Sequence, residues 1–226
     1  MNHKDNCIII DGVVGVGKST LMNIMHKEFG YEKYEEPVDN NPILDKFYYD
    51  RSRYSFPLQI FFLNNRFKQI KEASSKESAV MDRSIYGDLI FAKMLCDSGE
   101  MTREEFDIYM DLFGNMLEHI AVPKLMIYLR TSVDGAISKI KKRGRDYEQI
   151  VERTYWETLN TEYATYFENY TISPLLIIDV DGLDFENNLE DRKFVINTIK
   201  AKLNEIEKET VFVKKELKEK ENENIA

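Results

Sequence analysis

A chain of 226 residues, 43% of them hydrophobic, is long enough to bury a core and too apolar to be disordered. Its formal net charge of 31 − 40 = −9 works against phosphate backbones and anionic lipid, so neither nucleic acid nor membrane is an expected partner. Two cysteines, Cys7 and Cys96, make no disulfide framework, and no apolar run reaches the length of a signal h-region or a membrane span. A cytoplasmic protein with both thiols buried is the expectation.

The run CIIID from Cys7 is β-branched and stops at Gly12, which predicts a buried strand. Helical spacing follows through Leu21, Ile24, Met25 and Phe29, with Gly30 as the stop. A second short strand near Tyr34 closes at Pro37. From about Pro42 to Ala73 the pattern is helical and aromatic-rich, with a break around Ser52. SAVMD, from Ser78, reads as a buried strand because its apolar residues run straight into charge. Two helices are expected next, the second opened by a capping box of Thr102 and Glu105 and carrying the stripe Phe106, Met110, Phe113, Leu117 and Ile120. KLMIYLR, from Lys124, predicts a strand, and a helix from Ser132 to about Arg143 follows it. Another helix spans roughly Gln149 to Phe167 and holds Trp156 in its apolar stripe. PLLIID, from Pro174, is the last strand, and the final helix presents Val195, Ile199, Leu203 and Ile206 on one face.

Five buried strands alternating with helices predict an α/β fold, a parallel five-stranded sheet covered by helices on both faces. Neither a repeat nor a long linker divides the chain, so residues 1–208 are expected to form a single domain. The charge-dense stretch 209–226, broken only by Leu217 and Ile225 after residue 213, is expected to fray into solvent.

The most specific motif sits at the first turn. Gly12-Val13-Val14-Gly15-Val16-Gly17-Lys18-Ser19 fits G-x-x-x-x-G-K-[ST] between a strand and a helix, the context that gives a P-loop its meaning. Glycines let backbone N–H groups converge on one concavity, and the helix N-terminus adds its positive end there. Lys18 is expected to reach the β- and γ-phosphates of ATP, Ser19 to ligate Mg²⁺, and Thr20 to complete the nucleotide-binding set. No N-K-x-D base-specificity motif supports a GTPase, and Asp179-Val180-Asp181-Gly182 lies too late in the chain to be a switch. A small-molecule kinase and a non-catalytic nucleotide-binding module both remain open on the P-loop alone.

Further motifs fit a kinase. Glu36-Pro37-Val38 follows the second strand, Asp82-Arg83-Ser84 the third, and Arg143-Gly144-Arg145 precedes Glu148. In this order and spacing the chain resembles the deoxyribonucleoside kinase family over about residues 6 to 205, most closely its bacterial deoxyadenosine/deoxyguanosine kinase branch. The chemistry agrees: a carboxylate such as Glu36 can accept the proton of an attacking hydroxyl, a contribution on the order of 10²–10⁴ in rate. Asp82, at a strand end, is placed to hold Mg²⁺ directly or through water, and Arg83 to neutralise phosphate charge. Arg143 and Arg145 flank a glycine in a basic run with Lys139, Lys141 and Lys142, the pattern of a helical lid over the transferring phosphoryl group. Lys139 stands where arginine is common in the family and lacks the bidentate fork.

The resemblance further implies that Gln59, Arg66 and Asp88 face the base, that Phe91 stacks on it, and that Tyr48 and Glu148 hold the 3′-hydroxyl. It implies ATP and Mg²⁺ as cofactors, a deoxynucleoside as acceptor, with purine favoured and cytosine possible, and a homodimer. The aromatic and methionine residues of the central helices are either core or a dimer face. Thymidylate kinase shares the P-loop, the Glu-Pro and the Asp-Arg, but its acceptor is a dianion, which Glu35 beside Glu36 would repel. A catalytically silent regulatory subunit would share only the P-loop. His3, His26 and His119 have no ligand spacing, so no structural metal is expected.

Overall fold

The structure, a computed structural model, describes residues 7–38 and 41–223, with the chain beyond 212 described as backbone; His3 and Ile225 lie outside the described residues. Two compact units are present, 1–182 and 183–226.

The first unit is built on five parallel strands, β1 (Cys7–Asp11), β2 (Glu32–Tyr34), β3 (Ala79–Asp82), β4 (Leu125–Arg130) and β5 (Leu175–Asp179), in the order β2-β3-β1-β4-β5. Every residue of β1 and β3 is buried, as near-continuous apolar runs covered on both faces should be. The chain moves outward from β1 to β2, returns to β3, then crosses to β4, so the order reverses beside β1. In open α/β sheets the carboxyl ends at such a reversal form the ligand crevice. Here the register sets Ile10 against Asp82, Asp11 against Tyr128 and Tyr34 against Met81, which brings Gly12, Arg83 and Glu36 to one edge of the sheet.

The helices of this unit are α1 (Lys18–Phe29), α2 (Leu44–Tyr49), α3 (Arg51–Ala73), α4 (Ile85–Asp97), α5 (Arg103–Leu117), α6 (Val133–Arg143), α7 (Asp146–Gln149) and α8 (Arg153–Glu168). The break expected near Ser52 falls at Asp50, whose side chain caps α3 by accepting from the Arg53 N–H. Thr102 and Glu105 make both bonds of the capping box on α5. The buried residues of α5 are Tyr109 and Phe113, a rotation from the expected stripe that leaves Phe106, Met110 and Leu117 at its margin. One helix was expected from Gln149 to Phe167; α7 ends at Gln149 instead, and α8 starts at Arg153 after the Ile150–Glu152 turn. Trp156 is buried, and so is Cys7, but Cys96 on α4 is part exposed.

The second unit contains α9 (Leu189–Glu223), with Val195, Ile199 and Leu203 buried along one stripe. It runs helically through the stretch expected to fray from residue 209. No glycine or proline interrupts Leu189–Glu223, and Lys and Glu dominate its last turns; both are good helix formers. Among the described residues no helix is long and apolar enough to cross a membrane.

Candidate active site

The loop from Gly12 to Ser19 joins β1 to α1 and is held from outside. A Cβ on Gly15, where φ is +82°, would lie 2.8 Å from Ile140 Cγ1 and 3.0 Å from the Ala136 carbonyl oxygen, so only glycine lets the loop pack on α6. Gly17 caps α1 with a left-handed backbone and no capping side chain, and no acidic residue occupies the first turn. Its first N–H groups are therefore left for an anion, with the helix dipole in the same sense. Lys18 is buried and donates to the carbonyls of Gly12 (3.1 Å) and Val13 (3.0 Å). Burial and the nearby Arg83 lower its pKa to about 8, against the pull of Asp82, Glu36 and Asp11. Ser19 Oγ donates to Asp82 Oδ2, while Asp82 Oδ1 is buried with no hydrogen-bond partner. Lys139 of α6 donates to the Val16 carbonyl at 3.2 Å, so that lysine holds the loop itself.

Beside the loop a cleft is lined by Lys18, Glu36, Tyr48, Gln59, Arg66, Arg83, Asp88, Phe91, Arg143, Arg145 and Glu148, with an apolar wall from Val14, Val38, Leu44, Phe47, Leu58, Phe62 and Tyr155. Arg66, on α3, is 1% exposed and bridges two carboxylates, Glu36 at 2.8 Å and Asp88 in a short contact. Arg83 approaches the same Glu36 oxygen at 3.1 Å through Nε and lies 4.8 Å over the Phe91 ring. Burial pushes the Glu36 carboxyl up, but Arg83, Arg66 and Lys18 outweigh it and hold it down to about 2. Asp88 goes the other way. Burial raises it to about 7 with help from Asp11 and Glu36, and the attraction of Arg66 and Arg83 only limits the rise. One carboxylate is thus kept ionised and the other poised near neutrality.

At the far side α7 closes on α2, where Tyr147 stacks on Tyr48 with ring centroids 5.1 Å apart. Glu148, next to Tyr147, is 3% exposed and accepts from Arg143 Nη2 through both oxygens, with Arg145 Nη1 at 3.5 Å. The two arginines on either side of Gly144 therefore converge on a carboxylate of the cleft wall.

Ser19 and Asp82 meet below the P-loop, and the other residues expected to touch an acceptor surround one cleft. Phe91 is in that wall, where its face carries the Arg83 guanidinium. Glu35 is displaced from its expected part: its side chain is 60% exposed and bonded to Lys33 at 2.6 Å. The carboxylates that do line the cleft are Glu36, Asp88 and Glu148, each paired with arginine. Four residues escaped the sequence: Asp11, Tyr147, Tyr155 and Tyr163. Asp11 carried a faint signal as a charge ending a buried strand; the tyrosines were indistinguishable from core aromatics.

Among the described residues no cluster of three or more His, Cys, Asp or Glu side chains forms a metal site. Ser19 with the unpaired Asp82 oxygen nonetheless suits Mg²⁺, which binds through one or two protein oxygens together with phosphates and water.

Residues 8–204 match the model of the family described as deoxynucleoside kinase. A deoxyguanosine kinase of Lactobacillus johnsonii is 40% identical over 210 residues, covering 89% of this chain and 94% of that protein. A deoxyadenosine/deoxycytidine kinase of Bacillus subtilis is 40% identical over 195 residues, covering 83% and 90%. Among solved structures, the deoxyadenosine kinase of M. mycoides with the products dCMP and a flexible dCDP superposes with a TM-score of 0.78 at 35% identity, over 86% of this chain and 99% of the other.

Proposed function

We propose the following reaction for this chain, which belongs to the deoxynucleoside kinase family and is an ATP-dependent phosphotransferase: the γ-phosphoryl group of ATP passes to the 5′-hydroxyl of a deoxynucleoside held in the cleft. The observation that carries this reading is Glu36. It is an ionised carboxylate clamped by two arginines beside the P-loop lysine, in a cleft closed by the pair of arginines around Gly144.

ATP binds along Gly12 to Thr20, with backbone N–H groups and Lys18 on its phosphates. Ser19 and Asp82 would hold Mg²⁺, which would supply positive charge to offset that of the phosphates. Glu36 accepts a hydrogen bond from the 5′-hydroxyl and takes its proton as the bond to phosphorus forms. Its low pKa makes it a weak base, which suits a loose transition state in which the proton leaves late and orientation matters most. Arg83, Arg143 and Arg145 carry the charge on the equatorial oxygens. Tyr48 and Glu148 hold the 3′-hydroxyl. Gln59 can bond an adenine or a cytosine through its amide, one hydrogen bond in each direction, while Asp88 accepts from a ring or exocyclic amine and Arg66 orients it.

The favoured acceptors are deoxyadenosine and deoxyguanosine, with deoxycytidine next. Support comes from the relatives' names and from a cleft lined by the carboxylates Glu36, Asp88 and Glu148 and the amide of Gln59. Nucleotide salvage is the physiological role this implies, in the cytoplasm and as a homodimer; the last two rest on the family resemblance. A panel of deoxyadenosine, deoxyguanosine, deoxycytidine and thymidine, each with Mg–ATP, tests the base assignment by kcat/KM. A preference for thymidine over all three others would refute it, and light scattering tests the dimer.

A further inference from the structure

Asp11 ends β1 with no solvent exposure, and its Oδ1 accepts from the Gly12 N–H at 2.8 Å and from the Tyr163 hydroxyl at 3.1 Å. Tyr163, equally buried on α8, has one hydroxyl proton and gives it to Asp11, so its oxygen can only accept from Arg83 Nη1, which it does. Arg83 in turn reaches Glu36. Three hydrogen bonds therefore link the first N–H of the P-loop to Arg83 through Asp11 and Tyr163, and the ion pair of Arg83 with Glu36 extends the link to the carboxylate proposed to meet the 5′-hydroxyl.

Three further features show that this link is built for more than packing. Arg83 is the one described non-glycine residue with positive φ, +66°, a strained backbone of the kind retained at functional sites, and its N–H is tied to the Ile10 carbonyl at 2.8 Å. A Cβ on Gly87 would lie 2.1 Å from Asp11 Oδ2, so the first turn of α4 closes directly on the carboxylate. That Oδ2 is buried with no hydrogen-bond partner, a cost that a serine capping Gly12 would avoid. The negative charge is explained if it serves Arg83, whose pKa is raised by Tyr163, Glu36 and Asp11 against its burial. Arg83 Nε is buried with no hydrogen-bond partner and meets Glu36 only as an ion pair at 3.1 Å, and the side chain lines the cleft.

We infer that Tyr163 and Asp11 are positioning residues for phosphoryl transfer: they hold the Arg83 guanidinium by one nitrogen, in register with the P-loop, while its other nitrogens face the transferring group and Glu36. This rests on the role proposed for Arg83. Tyr163→Phe keeps the ring, which packs between Phe91 at 6.0 Å and Phe167 at 6.1 Å, and removes only the hydroxyl.

The test is a steady-state cycle of wild type, Tyr163→Phe, Arg83→Ala and the double variant. The expected result is a kcat about tenfold lower for Tyr163→Phe, with KM for ATP and nucleoside changed by less than about threefold, and a double variant within about twofold of Arg83→Ala alone. A simple packing defect would lower the melting temperature without that split or that non-additivity. Should Tyr163→Phe fail to fold, Asp11→Asn, which keeps the acceptor oxygen and removes the charge, is expected to show the same split. Turnover of Tyr163→Phe near wild type beside an impaired Arg83→Ala overturns the relay and leaves the role of Arg83 standing, as do additive losses. Near-normal turnover of Arg83→Ala overturns both.

Discussion

Replacing Glu36 with glutamine changes charge and almost nothing else. The amide oxygen can still accept from Arg66 Nη2, as the carboxylate does at 2.8 Å, and the side chain keeps its length. What disappears is an anion whose pKa has been brought from 4.5 to about 2 by Arg83, Arg66 and Lys18. Each pKa unit is worth about 1.4 kcal/mol, so that shift corresponds to roughly 3 kcal/mol of favourable interaction. The side chain is 25% exposed, so water screens part of it, and a loss of about 1–2 kcal/mol in stability is the expected magnitude. The rate should suffer more: without a proton acceptor at the 5′-hydroxyl, kcat falls at least about tenfold while ATP affinity, set by the P-loop, is kept. Coupled-assay kinetics with titration of a fluorescent ATP analogue and thermal unfolding separates the three quantities. Turnover near wild type would remove Glu36 from the reaction, and a parallel loss of ATP binding would mean that the P-loop itself had collapsed.

Other perturbations have distinct signatures. Arg143→Ala leaves Glu148 with Arg145 alone, at 3.5 Å, and is expected to depress kcat more than it raises the nucleoside KM; a change in KM alone would make Arg143 a pocket contact. For Asp88, whose folded pKa is raised from 3.8 to about 7, the native state binds a proton that the unfolded chain has released between those values. Its contribution to stability is therefore full below about pH 4 and lost as pH rises towards 7. Asp88→Asn should remove that slope, which is at most about 1.4 kcal/mol per pH unit, in urea melts at pH 5, 6 and 7; an unchanged slope refutes the assignment. Gly87→Ala should drive a methyl into the Asp11 carboxylate 2.1 Å away, costing about 1–3 kcal/mol by denaturant titration, and an unaltered midpoint would contradict the close approach.

The sheet was legible because its strands are short apolar runs that end abruptly at glycine, proline or charge, and the P-loop because eight consecutive positions must agree. The α7–α8 break was not, since Ile150–Glu152 contains neither glycine nor proline and the aromatic spacing continues across it. Glu36, Asp82, Arg83 and the arginines around Gly144 stood out as charges at strand ends or beside a glycine. Glu35 stays out of the cleft because neighbouring side chains at a strand end point in opposite directions: Glu36 faces Arg66, and Glu35 faces Lys33 on the surface. The Asp11–Tyr163 contact joins residues 152 positions apart, and only the folded sheet and α8 bring them together.

The central claim is that the acceptor is the 5′-hydroxyl of a nucleoside. The most direct measurement supplies Mg–ATP with deoxyadenosine, or separately with thymidine monophosphate, and identifies the product by phosphorus NMR and mass. Equal amounts of ADP and deoxyadenosine 5′-monophosphate, with thymidine monophosphate left untouched, is the result expected. Diphosphate formed from thymidine monophosphate alone, or ADP released with no phosphorylated acceptor, would contradict it.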